Sequence, residues 1–73
     1  MSLVLVTRRG CHLCDEALIL LRSLGHEPEL ADVDADDHLH DLYEWRVPVL
    51  LRDGAVVAEG KIDTSRLREA LGG

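Results

Sequence analysis

Residues 3–16 read LVLVTRRGCHLCDE and join an uninterrupted apolar run to two cysteines that stand three positions apart. The apolar run is typical of a strand that is buried on both faces in the middle of a sheet. A polar loop follows, and apolar residues then recur at helical spacing as far as Leu24. The stretch therefore predicts a central strand, a loop, and a helix whose first turn carries Cys11 and Cys14.

The remaining sequence predicts three further strands. Residues 28–34 alternate in part between apolar and polar side chains, and their proline and acids suit an edge strand. Residues 47–51 and 55–58 flank Asp53-Gly54, which is a strong signal for a two-residue hairpin. The second half of the chain therefore contributes an antiparallel pair.

Two further helices are predicted from their capping residues. Asp36 and Asp37 are candidate caps for a short helix, and Asp63 or Thr64 for a last helix that ends at the final glycines. The order β-α-β-α-β-β-α predicts an α/β fold with a four-stranded mixed sheet flanked by three helices. With 73 residues, the chain is expected to form a single domain over residues 1–73.

The charge and hydropathy patterns argue against several classes of function. The net charge of −6 is opposite to that needed for nucleic acid or an anionic membrane surface. No stretch is apolar for long enough to span a membrane, and the opening MSLVLV lacks the basic region and cleavage site of a signal peptide. We therefore expect a cytoplasmic monomer without nucleic-acid or membrane partners.

The two cysteines are expected to differ in reactivity. Cys11 comes first and faces the unpaired N–H groups and positive end of the helix dipole, and Arg8 and Arg9 add positive charge. These features predict a thiol pKa at Cys11 below that of a free cysteine, and a more buried, less acidic Cys14. In that arrangement the Cys11 thiolate attacks a substrate disulfide and Cys14 resolves the mixed disulfide.

Other interpretations of the cysteine pair remain open at this stage. A structural disulfide would close only a very short loop and add little stability. A zinc or iron–sulfur module could use both cysteines together with histidines, but His38 and His40 are closer than the common ligand spacing. The domain could also be a redox-inactive interaction module. His12, between the cysteines, either favours the thiolate or simply faces solvent.

The motifs TRRGCHLC (residues 7–14) and RVPVLL (residues 46–51) together resemble the glutaredoxin-like branch of the thioredoxin superfamily. The resemblance implies a thioredoxin-like fold, redox-active catalytic cysteines at positions 11 and 14, and electron transport to disulfide-containing protein or small-molecule substrates. It further implies that Pro48 is cis and faces the cysteine pair, and that the Val47 backbone pairs with substrate. Arg8 falls where the family carries Lys or Arg.

The substrate-binding residues implied by this resemblance are Arg8, Arg46, Val47, Pro48, Gly60 and Asp63. The last two match part of the family's glutathione-binding segment, and Arg46 replaces its usual threonine. Arg46 either attracts an anionic group, such as a glutathione carboxylate, or is a solvated loop residue. Glutathione or a thioredoxin reductase-like enzyme would reset the pair, with no bound cofactor and no metal. We expect Tyr43 and Trp45 to pack in the core rather than to border the substrate.

Overall fold

In the computed structural model, which describes residues 2–72, seven elements follow one another in the predicted order. The strands are β1 (Leu3–Thr7), β2 (Glu29–Asp32), β3 (Val49–Arg52) and β4 (Ala55–Glu59). The helices are α1 (His12–Ser23), α2 (Asp37–Tyr43) and α3 (Thr64–Leu71). The predicted α/β fold is therefore confirmed, and only the ends of the elements differ from expectation.

Strand order in the sheet is β2-β1-β3-β4. The first strand runs parallel to β2 and antiparallel to β3, and β3 pairs antiparallel with β4. The predicted central position of β1 and edge position of β2 are both confirmed. β3 begins at Val49, two residues later than expected, and Pro48 directly before it has no N–H to donate to a ladder.

Side chains of the sheet alternate between two apolar layers. Leu5 and Leu50 point toward α1 and α3, where they pack with Ala17, Leu21 and Leu67. On the opposite face, neighbouring strand residues pack with side chains of α2. This second layer contains Val6, Val33 and Val49, with Leu39 and Tyr43 packed against them. The sheet thus lies between two helices on one face and one on the other.

Each helix begins at a residue whose side chain accepts a hydrogen bond from the first turn. Of the two candidate caps for each helix, Asp36 caps α2 and Asp63 caps α3, and their carboxylates accept the backbone N–H groups of Leu39 and Arg66. Cys11 takes the same position before α1, where its sulfur accepts from Cys14. Cys11 is therefore the N-cap of α1.

One packing expectation is wrong. Tyr43 packs against the α2-side layer as expected, but Trp45 is 87% exposed. The helix α2 ends at Tyr43, and Trp45 lies in the turn that follows it. Trp45 is therefore not on the helix face that packs against the sheet. Among residues 2–72, no helix combines the length and apolar character that a membrane crossing requires.

Candidate active site

The two cysteines lie at the start of α1 and are joined by a disulfide, with their Cα atoms 5.2 Å apart. Cys14 is 2% exposed, whereas Cys11 is only partly buried. The backbone N–H of Cys14 donates to the Cys11 sulfur over 3.2 Å. The predicted difference in burial is therefore present, and Cys11 is the more exposed residue of the pair.

The position of Cys11 favours a negative charge on its sulfur after reduction. A sulfur at the N-cap faces the unpaired N–H groups of the first helical turn and the positive end of the helix dipole. The Cys14 N–H already points at that sulfur. A hydrogen bond to the charged form of a group stabilises that form. This local geometry supports a reactive thiolate without the help of a neighbouring side chain.

Arg8 contributes less free charge than the sequence indicates. Its guanidinium donates two hydrogen bonds to Asp34, each 2.9 Å long, and a third of 3.1 Å to the carbonyl oxygen of Glu44. This pairing raises the pKa of Arg8 and lowers that of the Asp34 carboxyl. The Arg8 carbonyl in turn accepts the Cys11 N–H over 3.1 Å. Arg8 therefore ties the loop before Cys11 to the ends of β2 and α2.

The position of Asp34 follows from the parallel register of the sheet, although its pairing with Arg8 is not among the contacts that the sequence pattern predicts. Thr7 pairs with Asp32, so the residues just after β1 and β2 leave the same edge of the sheet. The acidic segment that contains Asp34 reads as a solvated surface in the sequence. The signal that could have predicted the pair is the parallel pairing of β1 with β2, because it places the residues that follow the two strands, Arg8 and Asp34, close together.

Asp34→Asn is expected to destabilise the protein near neutral pH but not in strong acid. The Arg8 hydrogen bonds hold the pKa of Asp34 below its ordinary 3.8, so the ionised carboxylate stabilises the fold above that pH. This contribution is lost as the pH falls through the lowered pKa, where wild-type Asp34 is also neutral. Urea unfolding should show the two proteins differing near neutral pH and converging as the pH falls below 3.8 and through the lowered pKa of Asp34.

Asp41→Asn is the matched control, because Asp41 has no ion pair within residues 2–72 and its replacement removes the same charge. The free energy of unfolding of Asp41→Asn should differ from that of wild type by a nearly constant amount over the same pH range. Equal pH dependence of the two variants would contradict a specific stabilisation of the Asp34 carboxylate by Arg8.

The strand register brings Pro48 to the same edge of the sheet as the loop before Cys11. Val6 pairs with Val49, so the residue before β3 lies beside the end of β1. Pro48 is buried, its bond with Val47 is cis, and its carbonyl accepts the Gly60 N–H over 2.9 Å. The structure thus gathers the predicted residues 8, 11, 48 and 60 at one edge. Their roles in substrate binding stay predictions.

Arg46 is held by neighbours within the chain. Its guanidinium forms an ion pair with Glu59, including a 2.9 Å hydrogen bond from Nε, and lies 5.3 Å from the centre of the Tyr43 ring. Asp63 is engaged as well, since its carboxylate accepts the Arg66 N–H over 2.8 Å. His12 is open to solvent and lies 3.7 Å from Glu16. The charges predicted to attract substrate are therefore largely satisfied internally.

An open groove of about 400 Å³ runs between α1 and the start of α3. Its apolar wall is formed by Leu13, Ile19, Leu20 and Ile62. Neither cysteine lines this groove, whereas Cys14 lines a second open cleft together with Arg8, Gly10 and Leu30. Within the described part of the chain, no group of three or more His, Cys, Asp or Glu side chains is arranged to hold a metal ion.

Comparisons with known proteins point to one family. The family model described as a glutaredoxin-like domain (DUF836) matches residues 2–72. The X-ray structure of target protein XcR50 from X. campestris is 34% identical, with a TM-score of 0.83, and the match covers 97% of this chain and 96% of that one. Its solution structure is 35% identical, with a TM-score of 0.76 and coverages of 99% and 94%.

A protein from a second organism has a similar structure. The solution NMR structure of protein Ne2328 from Nitrosomonas europaea is 34% identical, with a TM-score of 0.79. The match covers 97% of this chain and 86% of that one. A comparison with curated proteins found no match. The structural matches extend over almost the whole of both chains and confirm the thioredoxin-like α/β fold.

Proposed function

The chain belongs to the glutaredoxin-like domain family (DUF836), and we propose that it is a thiol–disulfide oxidoreductase that uses Cys11 as nucleophile and Cys14 as resolving thiol. The observation that carries the proposal is the asymmetry of the pair. Cys11 is partly exposed and its sulfur receives the Cys14 N–H at 3.2 Å, whereas Cys14 is buried. A nucleophile needs access and a stabilised thiolate, and a resolving thiol needs neither.

The proposed reaction proceeds through one mixed disulfide. The Cys11 thiolate attacks one sulfur of the substrate disulfide, the substrate S–S bond breaks, and the other sulfur leaves as a thiolate that takes a proton from solvent. Cys14 then loses its proton and attacks the Cys11 sulfur. The 11–14 disulfide forms and the second substrate thiolate leaves and is protonated. Two electrons pass from the protein dithiol to the substrate, which becomes a dithiol.

A reductant must return the pair to the dithiol form. We propose two thiols of glutathione, which would leave as glutathione disulfide, or a thioredoxin reductase-like enzyme as the donor. The cycle suits a reducing cytoplasm, where close cysteine pairs are commonly redox-active. Disulfide-containing proteins and small molecules are the proposed substrates. They would meet the Val47–Pro48 segment and the cleft lined by Arg8, Gly10 and Cys14.

A side-by-side assay tests both the activity and its reductant. Protein that has been reduced and freed of excess thiol should reduce bis(2-hydroxyethyl) disulfide and end with an intact 11–14 disulfide, as read by mass spectrometry. Turnover is then compared with glutathione plus its reductase and with a thioredoxin reductase. We expect turnover with at least one system, because a dithiol of this type exchanges with either donor.

If the reduced cysteine pair did not reduce bis(2-hydroxyethyl) disulfide, the proposal would be contradicted. Stoichiometric metal in protein purified without reductant would also contradict it, if that metal were lost in Cys11→Ser. The second result would favour a metal-binding module instead.

A further inference from the structure

Trp45 is the most exposed large apolar side chain in the described part of the protein. It is 87% exposed, whereas the next value is 66% at Ile19. The chain contains one tryptophan, one tyrosine and no phenylalanine, so half of its large aromatic side chains lie in solvent. An indole ring offers more contact area than an aliphatic side chain, and tryptophan is enriched among the residues that dominate protein interfaces.

The turn that carries Trp45 is fixed on both sides. The Glu44 carbonyl before it accepts from Arg8 over 3.1 Å, and the Arg46 N–H after it donates to the Tyr43 carbonyl over 2.8 Å. The Arg46 side chain is paired with Glu59 at the end of β4. A side chain on a backbone held in this way loses less entropy on binding than one on a loose loop.

The same contacts connect Trp45 to the cysteine pair. Arg8, which holds the residue before Trp45, accepts the Cys11 N–H through its own carbonyl. Trp45 also precedes Pro48 by three residues, at the edge of the sheet where the site lies. An indole at this position can contact a molecule whose disulfide is presented to Cys11.

The charge next to Trp45 indicates the kind of molecule. Residues 27–44 contain eight carboxylates and no Lys or Arg. Asp36, Asp37 and Asp41 have no ion pair among residues 2–72, so this face keeps its negative charge. By contrast, Arg8 and Arg46 are already paired with carboxylates of the chain, and Arg9, which is exposed and has no ion pair among residues 2–72, lies in the loop before Cys11 and not in the acidic segment. A basic partner is therefore attracted to this side of the site, and an acidic partner is repelled.

We propose that Trp45 is a docking residue for protein substrates that carry apolar and basic side chains beside their disulfide. The indole would cover the apolar side chain, and the acidic segment 27–44 would attract the basic one. The inference rests on the proposed function for its reaction, but the binding surface is independent of electron transfer. It predicts that Trp45 matters for protein disulfides of this chemistry and not for small disulfides, which carry no apolar or basic side chains for this surface to bind.

Two synthetic peptides with the same internal disulfide test the inference, one flanked by Lys and Leu and the other by Asp and Ser. Pre-reduced protein is mixed with each peptide in excess, and oxidation of the pair is followed by acid quench and mass spectrometry. We expect Trp45→Ala to raise the half-saturating concentration of the Lys–Leu peptide about tenfold, with little change in the maximal rate. Trp45→Phe should recover most of the affinity.

Val56→Ala is the matched control, since Val56 is 40% exposed and lies near the hairpin at the opposite end of β4. It should leave the half-saturating concentration unchanged. The rate with bis(2-hydroxyethyl) disulfide should be the same in all variants, which shows that the cysteine pair is intact. Equal behaviour of Trp45→Ala and Val56→Ala toward the Lys–Leu peptide would overturn the inference, as would no preference of wild type for that peptide.

A binding measurement separates this inference from the proposed function. The Lys–Leu peptide with both cysteines replaced by serine cannot react, yet it should shift the emission of Trp45, the only tryptophan, to shorter wavelength as the ring is covered. Such a shift without any disulfide reduction would support the docking surface and overturn the oxidoreductase. If both peptides and bis(2-hydroxyethyl) disulfide were reduced but the emission did not shift, the oxidoreductase would be supported and the docking surface overturned.

Discussion

Replacement of Cys11 by serine is expected to lower the rate of disulfide reduction by at least about three orders of magnitude, because a serine hydroxyl is not ionised near neutral pH and is a poor nucleophile toward sulfur. The fold should survive the change, since a serine hydroxyl is also a good N-cap and can accept the N–H that the Cys11 sulfur accepts. The rate is measured with pre-reduced protein and bis(2-hydroxyethyl) disulfide.

Cys14→Ser is the matched control for this prediction. It keeps the Cys11 nucleophile and removes the thiol that resolves the mixed disulfide. The first step should proceed, and a stoichiometric adduct at Cys11 should accumulate and be visible by mass spectrometry. If the adduct formed at Cys14 in Cys11→Ser instead, or if no adduct formed in either variant, the proposed order of attack would be wrong.

The fold could be predicted because its signals are local in sequence. An apolar run, a helical repeat and an Asp-Gly hairpin each depend on neighbouring residues, and the three fixed the order of the elements and the central position of β1. Asp36 and Asp63 are among the cap candidates that the sequence offers, because a cap bonds to the turn that follows it. The position of Cys11 at the start of α1 could be predicted for the same reason, because it depends on the residues of the helix that follows.

The electrostatics of the site could not be predicted in this way, because they depend on contacts between distant residues. The partners Arg8 and Asp34 are 26 residues apart, and Arg46 and Glu59 are 13 apart. From the sequence, both arginines appear free to act on a thiolate or on a substrate anion. In the structure each has a carboxylate partner, so among the arginines near the cysteines Arg9 alone has no ion pair within residues 2–72, and it adds to the positive end of the helix.

The exposure of Trp45 is a second property that composition concealed. In a chain with so few aromatic residues, burial of each of them is the economical expectation. Tyr43 and Trp45 stand only two positions apart, but α2 ends at Tyr43, which packs against the sheet, while Trp45 follows in the turn. A difference of two residues at a helix end therefore separates a core residue from a surface one.

Leu50→Ala is expected to destabilise the protein by about 2–5 kcal/mol, the range for removing a fully buried leucine side chain and leaving a cavity. Leu50 lies in the internal strand β3, is 0% exposed, and packs in the layer that holds α1 and α3 against the sheet. A domain of 73 residues has a total stability on the order of 4–11 kcal/mol, so this one change removes a large share of it.

Loss of the core in this variant should also disrupt the cysteine site. The layer that contains Leu50 also holds Ala17 and Leu21 of α1, and Cys11 is the N-cap of that helix. Urea unfolding of Leu50→Ala should therefore show a lower midpoint, and disulfide reduction should be lost at lower urea than in wild type. Leu30→Ala removes the same atoms from a side chain that is 50% exposed on β2 and should change stability by about 0.5 kcal/mol or less. Equal destabilisation by the two substitutions would mean that the apolar layer between the sheet and α1 does not support the fold as its burial indicates.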